Sequence, residues 1–384
     1  MRIAILSGAF PPQFDGIGDY TWWLSQELVN QNQEVTVFTS FAPTRPKPAS
    51  VEVICCFDPA QPRSIQELPR VLHQAGRFDW LIVQYNPFSY GPRGFSPWLI
   101  PALHRANIPV AMMFHETYVP FWPWRYSLMR TWQYPQFVRL VRLASAHFVS
   151  TQRWVSQVNR WTKRPCRVLP VGSNLPRCGL SKPEARIKLG ISQNAFLVGV
   201  FGFAHSSKCL DWVVEAARSI YDQFPETMIL AVGQIGSAIR NACNDVPVLE
   251  SGRLASAEAA LRLRAMDVFL APFLDGISPR RGSAIAALQH GIPTCSTFSE
   301  HTDRFLRDFV SPAFSLTPAD SKEAFETAAL ALAQTTRDGT SVAKDLVELY
   351  ETHFDWPVIA RRMVEDLGLR YPAATGPKSV RHSG

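Results

Sequence analysis

Residues 2–40, RIAILSGAFPPQFDGIGDYTWWLSQELVNQNQEVTVFTS, hold the pattern that decides the fold. An apolar run, RIAILS (2–7), leads through a loop into a helix-length segment opened by Gly16-Ile17-Gly18, and a second apolar run, EVTVFTS (34–40), follows. Short continuous apolar runs joined by helical segments are the mark of strands buried on both faces of a parallel sheet. The alternation continues with VEVICCF (51–57), WLIVQY (80–85), PVAMMFH (109–115), AHFVST (146–151) and CRVLPV (166–171). A turn-rich passage, GSNLPRCGLSKPEA, starts at Gly172. The alternation then resumes with FLVGVFGF (196–203), TMILAVG (227–233), VPVLES (246–251), DVFLAPF (267–273) and IPTCST (292–297). The fold class is α/β: two Rossmann-like αβα domains in series, 1–175 and 176–353, with their ligand loops expected across a cleft. An amphipathic helix follows at 354–369, with Trp356, Ile359, Met363 and Leu367 at helical spacing. Residues 371–384 lack apolar periodicity and read as a loose tail.

A chain of 384 residues with 46% apolar and 18% charged residues suits two well-buried domains. The opening apolar run is too short for a secretory signal, and no later stretch has the length of a membrane span, so a soluble cytoplasmic protein is expected. The seven cysteines are scattered and suggest buried free thiols rather than a disulfide framework or a zinc site. The net charge of +7 comes from one segment: residues 117–183 contain eleven Lys and Arg and no Asp or Glu. The same segment holds Trp122, Trp124, Trp132, Tyr134, Trp154 and Trp161. Arginines mixed with aromatic rings suit an anionic partner or peripheral contact with an anionic membrane; a solvated arginine face over a tryptophan core is the plainer alternative. No motif supports nucleic acid.

Gly16-Ile17-Gly18 invites a dinucleotide reading, but such a fingerprint needs its glycines directly after the strand and an acidic residue about 20 positions on. Here two prolines intervene, and EVTVFTS does not end in Asp or Glu. The loop still offers the N–H groups of a helix N-terminus to a phosphate or a sugar hydroxyl.

Four stretches together resemble the retaining nucleotide-sugar glycosyltransferases of family 4, which have the GT-B fold: the opening SGAFPPQFDGIGDYTWWLSQELVNQNQEVTVFTS, VLPVGSN, SSKCLDWVVEAA, and SGRLASAEAALRLRAMDVFLAPFLDG with HGIPT after it. The resemblance spans residues 1–370 and implies that the final helix, 354–370, crosses back onto the N-terminal domain. It further implies that the N-terminal domain binds the acceptor and the C-terminal domain the donor. Asp15, Gly16, His115 and Glu116 are then candidates on the acceptor side, with Gly16 and Gly18 also addressing the donor phosphates. In the second domain, Lys208 stands where the family has a lysine at the donor diphosphate, with Gly202 another donor-side candidate, whereas Phe203 replaces the usual arginine. Arg253 joins them on the donor side. Asp275 with Gly276 matches the first of two family glutamates; the second position, counted back from Gly291, falls on Ala286.

The run SPRRGSAIAAL offers a replacement for the missing cation. A departing diphosphate gathers negative charge, and Arg280, Arg281, Gly282 and Ser283 at the start of a helix could meet it. The expected catalytic set is His115, Lys208, Asp275, Arg280 and Arg281, with no metal and no cofactor beyond the nucleoside-diphosphate sugar. The acceptor is expected to be lipid-linked or otherwise anionic. The rival readings are a nicotinamide-dependent oxidoreductase, an exported two-lobed solute-binding protein, and a nucleotide-sugar-binding protein that has lost turnover.

Overall fold

A computed structural model describes residues 1–13, 15–41, 51–121, 124–338 and 343–370, apart from the side chains of Arg125 and Arg370. The tail expected at 371–384 and Trp122 lie outside the described residues. The chain forms two units: Met1–Leu169 with the helix Trp356–Arg370, and Pro170–Asp355.

The first unit is built on seven parallel strands, β1 (Arg2–Ser7), β2 (Glu34–Ser40), β3 (Glu52–Phe57), β4 (Trp80–Tyr85), β5 (Val110–Phe114), β6 (Ala146–Val149) and β7 (Cys166–Val168). Their spatial order is β3-β2-β1-β4-β5-β6-β7. Every residue of β4 and β5 is buried, which is why these runs carry no polar alternation. The second unit has six: β8 (Phe196–Phe201), β9 (Thr227–Val232), β10 (Val248–Glu250), β11 (Val268–Ala271), β12 (Thr294–Phe298) and β13 (Phe314–Pro318), ordered β10-β9-β8-β11-β12-β13. The sequence predicts five of these. It misses β13, an edge strand of sequence FSLTP, because two of its residues are half-buried, one is exposed, and it ends in proline. All pairings within both sheets are parallel.

The chain changes unit within a few residues at each crossing. Leu169 belongs to the first unit, but Val171 N–H already donates to Pro279 O at 2.9 Å inside the second, slightly before the turn-rich passage around residue 175. At the far end Phe354 is fully buried against Tyr350 in the second unit, whereas Trp356 packs against Tyr20 (5.1 Å between ring centroids) and stacks near Trp23 (6.5 Å) in the first. The last helix thus begins at Trp356 rather than at residue 354. Arg177 holds both ends of the second unit together, donating to Glu351 and to Asp355 at 2.8 Å each. Trp356, Ile359, Met363 and Leu367 are all buried, each contributing about 1.5–3 kcal/mol of apolar burial.

Beneath the second sheet, Asp267, the residue before β11, accepts from Lys182 Nζ at 3.0 Å, Arg186 Nη2 at 2.5 Å and Leu197 N–H at 2.7 Å. Of the seven cysteines four are buried and three half-buried. Among the described residues no helix is long and apolar enough to cross a membrane.

Candidate functional site

The loops at the C-terminal edge of the second sheet collect most of the donor-side candidates. Strand β8 ends at Phe201, and Gly202 turns the chain with φ +106°, a conformation that favours glycine. A Cβ at Gly202 would lie 3.2 Å from Lys208 Nζ and 4.0 Å from Ser283 Cβ, so these three residues meet at one point. Lys208 reaches back to donate to Phe201 O at 2.8 Å, and its backbone pairs with Phe273 beyond β11. Burial, reinforced by the nearby guanidinium of Arg281, lowers the Lys208 pKa to about 8.

Arg281 sits at the N-cap of the helix Gly282–Gln289. Its Nη1 donates to Ser207 Oγ at 2.9 Å, its Nη2 pairs with the Asp275 carboxylate, and its Cζ lies 4.4 Å above the Phe273 ring. Asp275 is fixed in turn, for Ser299 Oγ donates to its carbonyl at 2.6 Å and Gly276 N–H to Phe273 O at 3.0 Å. The sequence leaves the two arginines awaiting an external anion. The structure supplies Arg281 with an internal one, and Asp275 offsets the cost of a cation at a helix N-terminus. Arg280 is half-buried in the turn before the helix. No side chain caps this helix, whose Gly282 N–H donates to Arg280 O at 3.1 Å and Ala284 N–H to Arg281 O at 2.9 Å, and the positive end of its dipole lies on the same side as the cations. Lys208 remains a cation whose ammonium donates to a carbonyl rather than to a carboxylate.

Ala286 is fully buried in the apolar cluster of the second unit, so the position counted for a ribose carboxylate faces the core. Phe203, which replaces the family arginine, is 62% exposed on the loop after β8. Arg253 is exposed beyond β10, at the same edge of the sheet. Ser207 and Phe273, which hold Arg281, escape sequence reading; the signal available was only their adjacency to Lys208 and β11.

The first unit is organised differently. The Asp15 carboxylate accepts from the N–H groups of Ile17 at 2.8 Å and Gly18 at 2.9 Å, capping the helix Gly16–Asn30. The N–H groups offered to a phosphate by sequence reading are therefore occupied by the chain itself. Gly18 is a packing glycine, since a Cβ there would lie 3.3 Å from the backbone of Ala9 and Phe10, whereas Gly16 opens onto free space. His115, at the end of β5, is buried; its Nε2 donates to Gln84 Oε1 at 2.7 Å and its ring meets Tyr20 edge-on at 4.7 Å. Gln84 Nε2 and Tyr20 Oη are buried without a hydrogen-bond partner among the described residues, so polar capacity gathers around His115. Glu116 is half-buried beside it. Gln84 was readable in advance, because a lone glutamine in the buried run WLIVQY needs a partner. Among the described residues, no three His, Cys, Asp or Glu side chains group closely enough to hold a metal ion.

Comparison with known proteins agrees with this architecture. Residues 15–172 match the family model of the glycosyl transferase 4-like domain, and the family resemblance read from the sequence holds over that stretch. A sucrose-phosphate synthase from Thermosynechococcus elongatus superposes with a TM-score of 0.73 at 18% identity, over 97% of this chain and 100% of that one. Anabaena Alr3699/HepE, solved in complex with UDP-glucose, gives 0.69 at 15% identity over 96% and 100%. WaaG, a glycosyltransferase of lipopolysaccharide biosynthesis, gives 0.67 at 14% identity over 97% and 100%. These likenesses show the fold, which is of the GT-B type. A comparison with curated protein sequences gives no match.

Proposed function

We propose that this chain, with its glycosyl transferase 4-like N-terminal half, is a retaining glycosyltransferase that moves a sugar from a nucleoside diphosphate to an acceptor hydroxyl without a metal ion. The observation that carries the reading is the meeting at Gly202 of Lys208 and Ser283, in the first turn of a helix that no side chain caps, with the Arg281 guanidinium near enough to Lys208 to lower its pKa. Two cations press on one another there, and a bound diphosphate would relieve their repulsion. That one structural neighbour, HepE, is described with UDP-glucose bound supports a nucleotide sugar as the ligand class.

In the reaction, the bond from the anomeric carbon to the diphosphate oxygen breaks and a bond to the acceptor oxygen forms on the same face. The acceptor's proton passes to the departing diphosphate. Lys208, Arg280, Arg281 and the positive end of the helix Gly282–Gln289 stabilise the charge that grows on the leaving group. Asp275 holds Arg281 and, half exposed, faces the sugar. His115, oriented by Gln84, and Glu116 address hydroxyls from the first unit, and Asp15 fixes the loop. The acceptor reading is a lipid-linked or otherwise anionic molecule, supported by the carboxylate-free run 117–183.

Calorimetric titration with UDP, GDP, ADP and NAD in the presence of a chelator tests the proposal. Binding of one nucleoside diphosphate is expected and names the base; binding of NAD alone would overturn the reading in favour of an oxidoreductase. Consumption of the matching nucleotide sugar, with the anomeric configuration of the product followed by NMR, then separates a retaining transferase from a binding protein without turnover.

A further inference from the structure

The helix Trp124–Leu143 changes character along its length. From Gln133 onward it is built into the first unit, with Gln133, Phe137, Leu140 and Val141 fully buried. Ahead of Gln133 no described side chain of the helix is buried. Trp124 is 75% and Leu128 60% exposed, one turn apart on the same face, and Phe121 just before the helix is 68% exposed. Phe121 is held in that position, because the Arg130 guanidinium lies 4.1 Å from its ring centroid and 4.4 Å from that of Tyr118 while donating to Val119 O at 3.0 Å. Nearby, the exposed Phe95 packs edge-on against Trp132 at 6.2 Å, and Trp132 Nε1 donates to the carbonyl of the exposed Arg93. Farther along the helix, Arg139 and Arg142 are exposed.

We propose that this end of the helix, led by Phe121, Trp124 and Leu128, docks the first unit onto an anionic lipid bilayer. Large apolar side chains exposed together at the start of one helix and just before it mark a surface that something else covers. Aromatic rings beside arginines, on a stretch of chain without any carboxylate, match the boundary between headgroups and acyl chains. A second copy of the chain is a poorer occupant. Self-pairing of the patch would set Arg93, Arg130, Arg139 and Arg142 against their own duplicates, whereas an anionic surface complements them. The inference does not depend on the donor chemistry, although a bilayer would supply a lipid-linked acceptor at the first unit.

Co-sedimentation of the full chain with vesicles of phosphatidylcholine, alone or mixed with phosphatidylglycerol, tests this without nucleotide present. Pelleting with the mixed vesicles and not with the neutral ones is expected, and it should weaken as salt is raised. The variant Phe121→Ser/Trp124→Ser/Leu128→Ser should bind the mixed vesicles about tenfold more weakly or worse. Because these side chains are exposed, its melting temperature and nucleotide titration should match those of the parent. Arg93→Glu/Arg139→Glu should weaken pelleting while leaving the apolar patch intact. Equal pelleting of parent and triple variant, no pelleting of the parent, or a dimer that the triple variant abolishes would each overturn the proposal. Vesicle binding in a protein that ignores every nucleotide would sink the transferase reading and leave this one standing.

Discussion

Strand β11 has an aspartate, an arginine and a lysine at each end, arranged in opposite ways. At its start, Asp267 accepts from both Lys182 and Arg186 and from the backbone of Leu197, so each charge has its partner. Beyond its end, Asp275 pairs with Arg281, but Lys208 turns its ammonium to a carbonyl and lies close enough to Arg281 to be repelled. The first arrangement is closed and can only hold the fold together. The second has the same formal charge but turns its lysine to a carbonyl instead of the carboxylate, in partial burial beside a helix N-terminus that no side chain caps, and is poised for an anion. Residue types alone do not separate a structural cluster from a binding one; which lysine reaches the carboxylate does.

The largest effect expected from breaking this comparison is on stability. Asp267→Ala strands a buried guanidinium and should cost about 3–5 kcal/mol in urea unfolding, with nucleotide binding intact in the folded fraction. Lys208→Ala should do the reverse. It should weaken nucleoside-diphosphate binding by about 1.5–3 kcal/mol, roughly ten- to hundredfold by calorimetry, and leave the unfolding midpoint unchanged or higher, since a penalised charge is removed.

The same lysine predicts a pH dependence. Its ammonium is charged below about pH 8 and neutral above, so donor affinity should be level at neutral pH and fall by up to about tenfold per unit as pH rises beyond 8. Lys208→Arg should flatten that limb in the same titration. Asp275→Asn sharpens the comparison from the anionic side: turnover should fall about tenfold while affinity for the bare nucleotide holds or rises, as judged by kcat against calorimetric Kd. The smallest effect belongs to the other unit. Asp15→Ala removes a helix cap and should cost about 1 kcal/mol in thermal unfolding without weakening diphosphate binding.

Much of the fold was legible because buried parallel strands announce themselves as apolar runs, and twelve of the thirteen strands follow such runs. The exception, β13, lies at an edge where burial is partial. Lys208, Asp275 and Arg281 were legible as residues but not as a network, because their pairing is made by the turn around Gly276, which no periodicity encodes. Asp15 illustrates the opposite failure. An aspartate directly before a helix is a strong capping signal, yet the neighbouring glycines drew the phosphate reading instead. The exposed first turns of the helix Trp124–Leu143 were foreshadowed by composition, but only burial distinguishes Trp124 from Trp154, which is in the core.

The return of the final helix to the first unit also sets an order of events during synthesis. Tyr20 and Trp23 leave the ribosome early, but Trp356, the ring that covers them, emerges only after the whole of Pro170–Asp355 has been made. At about 5–20 residues per second, that delay is on the order of ten seconds or more. During it the half-finished first unit presents an aromatic surface to the cell, and the second unit can complete its own core first. A premature stop anywhere before residue 356 would make that exposure permanent, leaving a product suited to capture by chaperones and proteases.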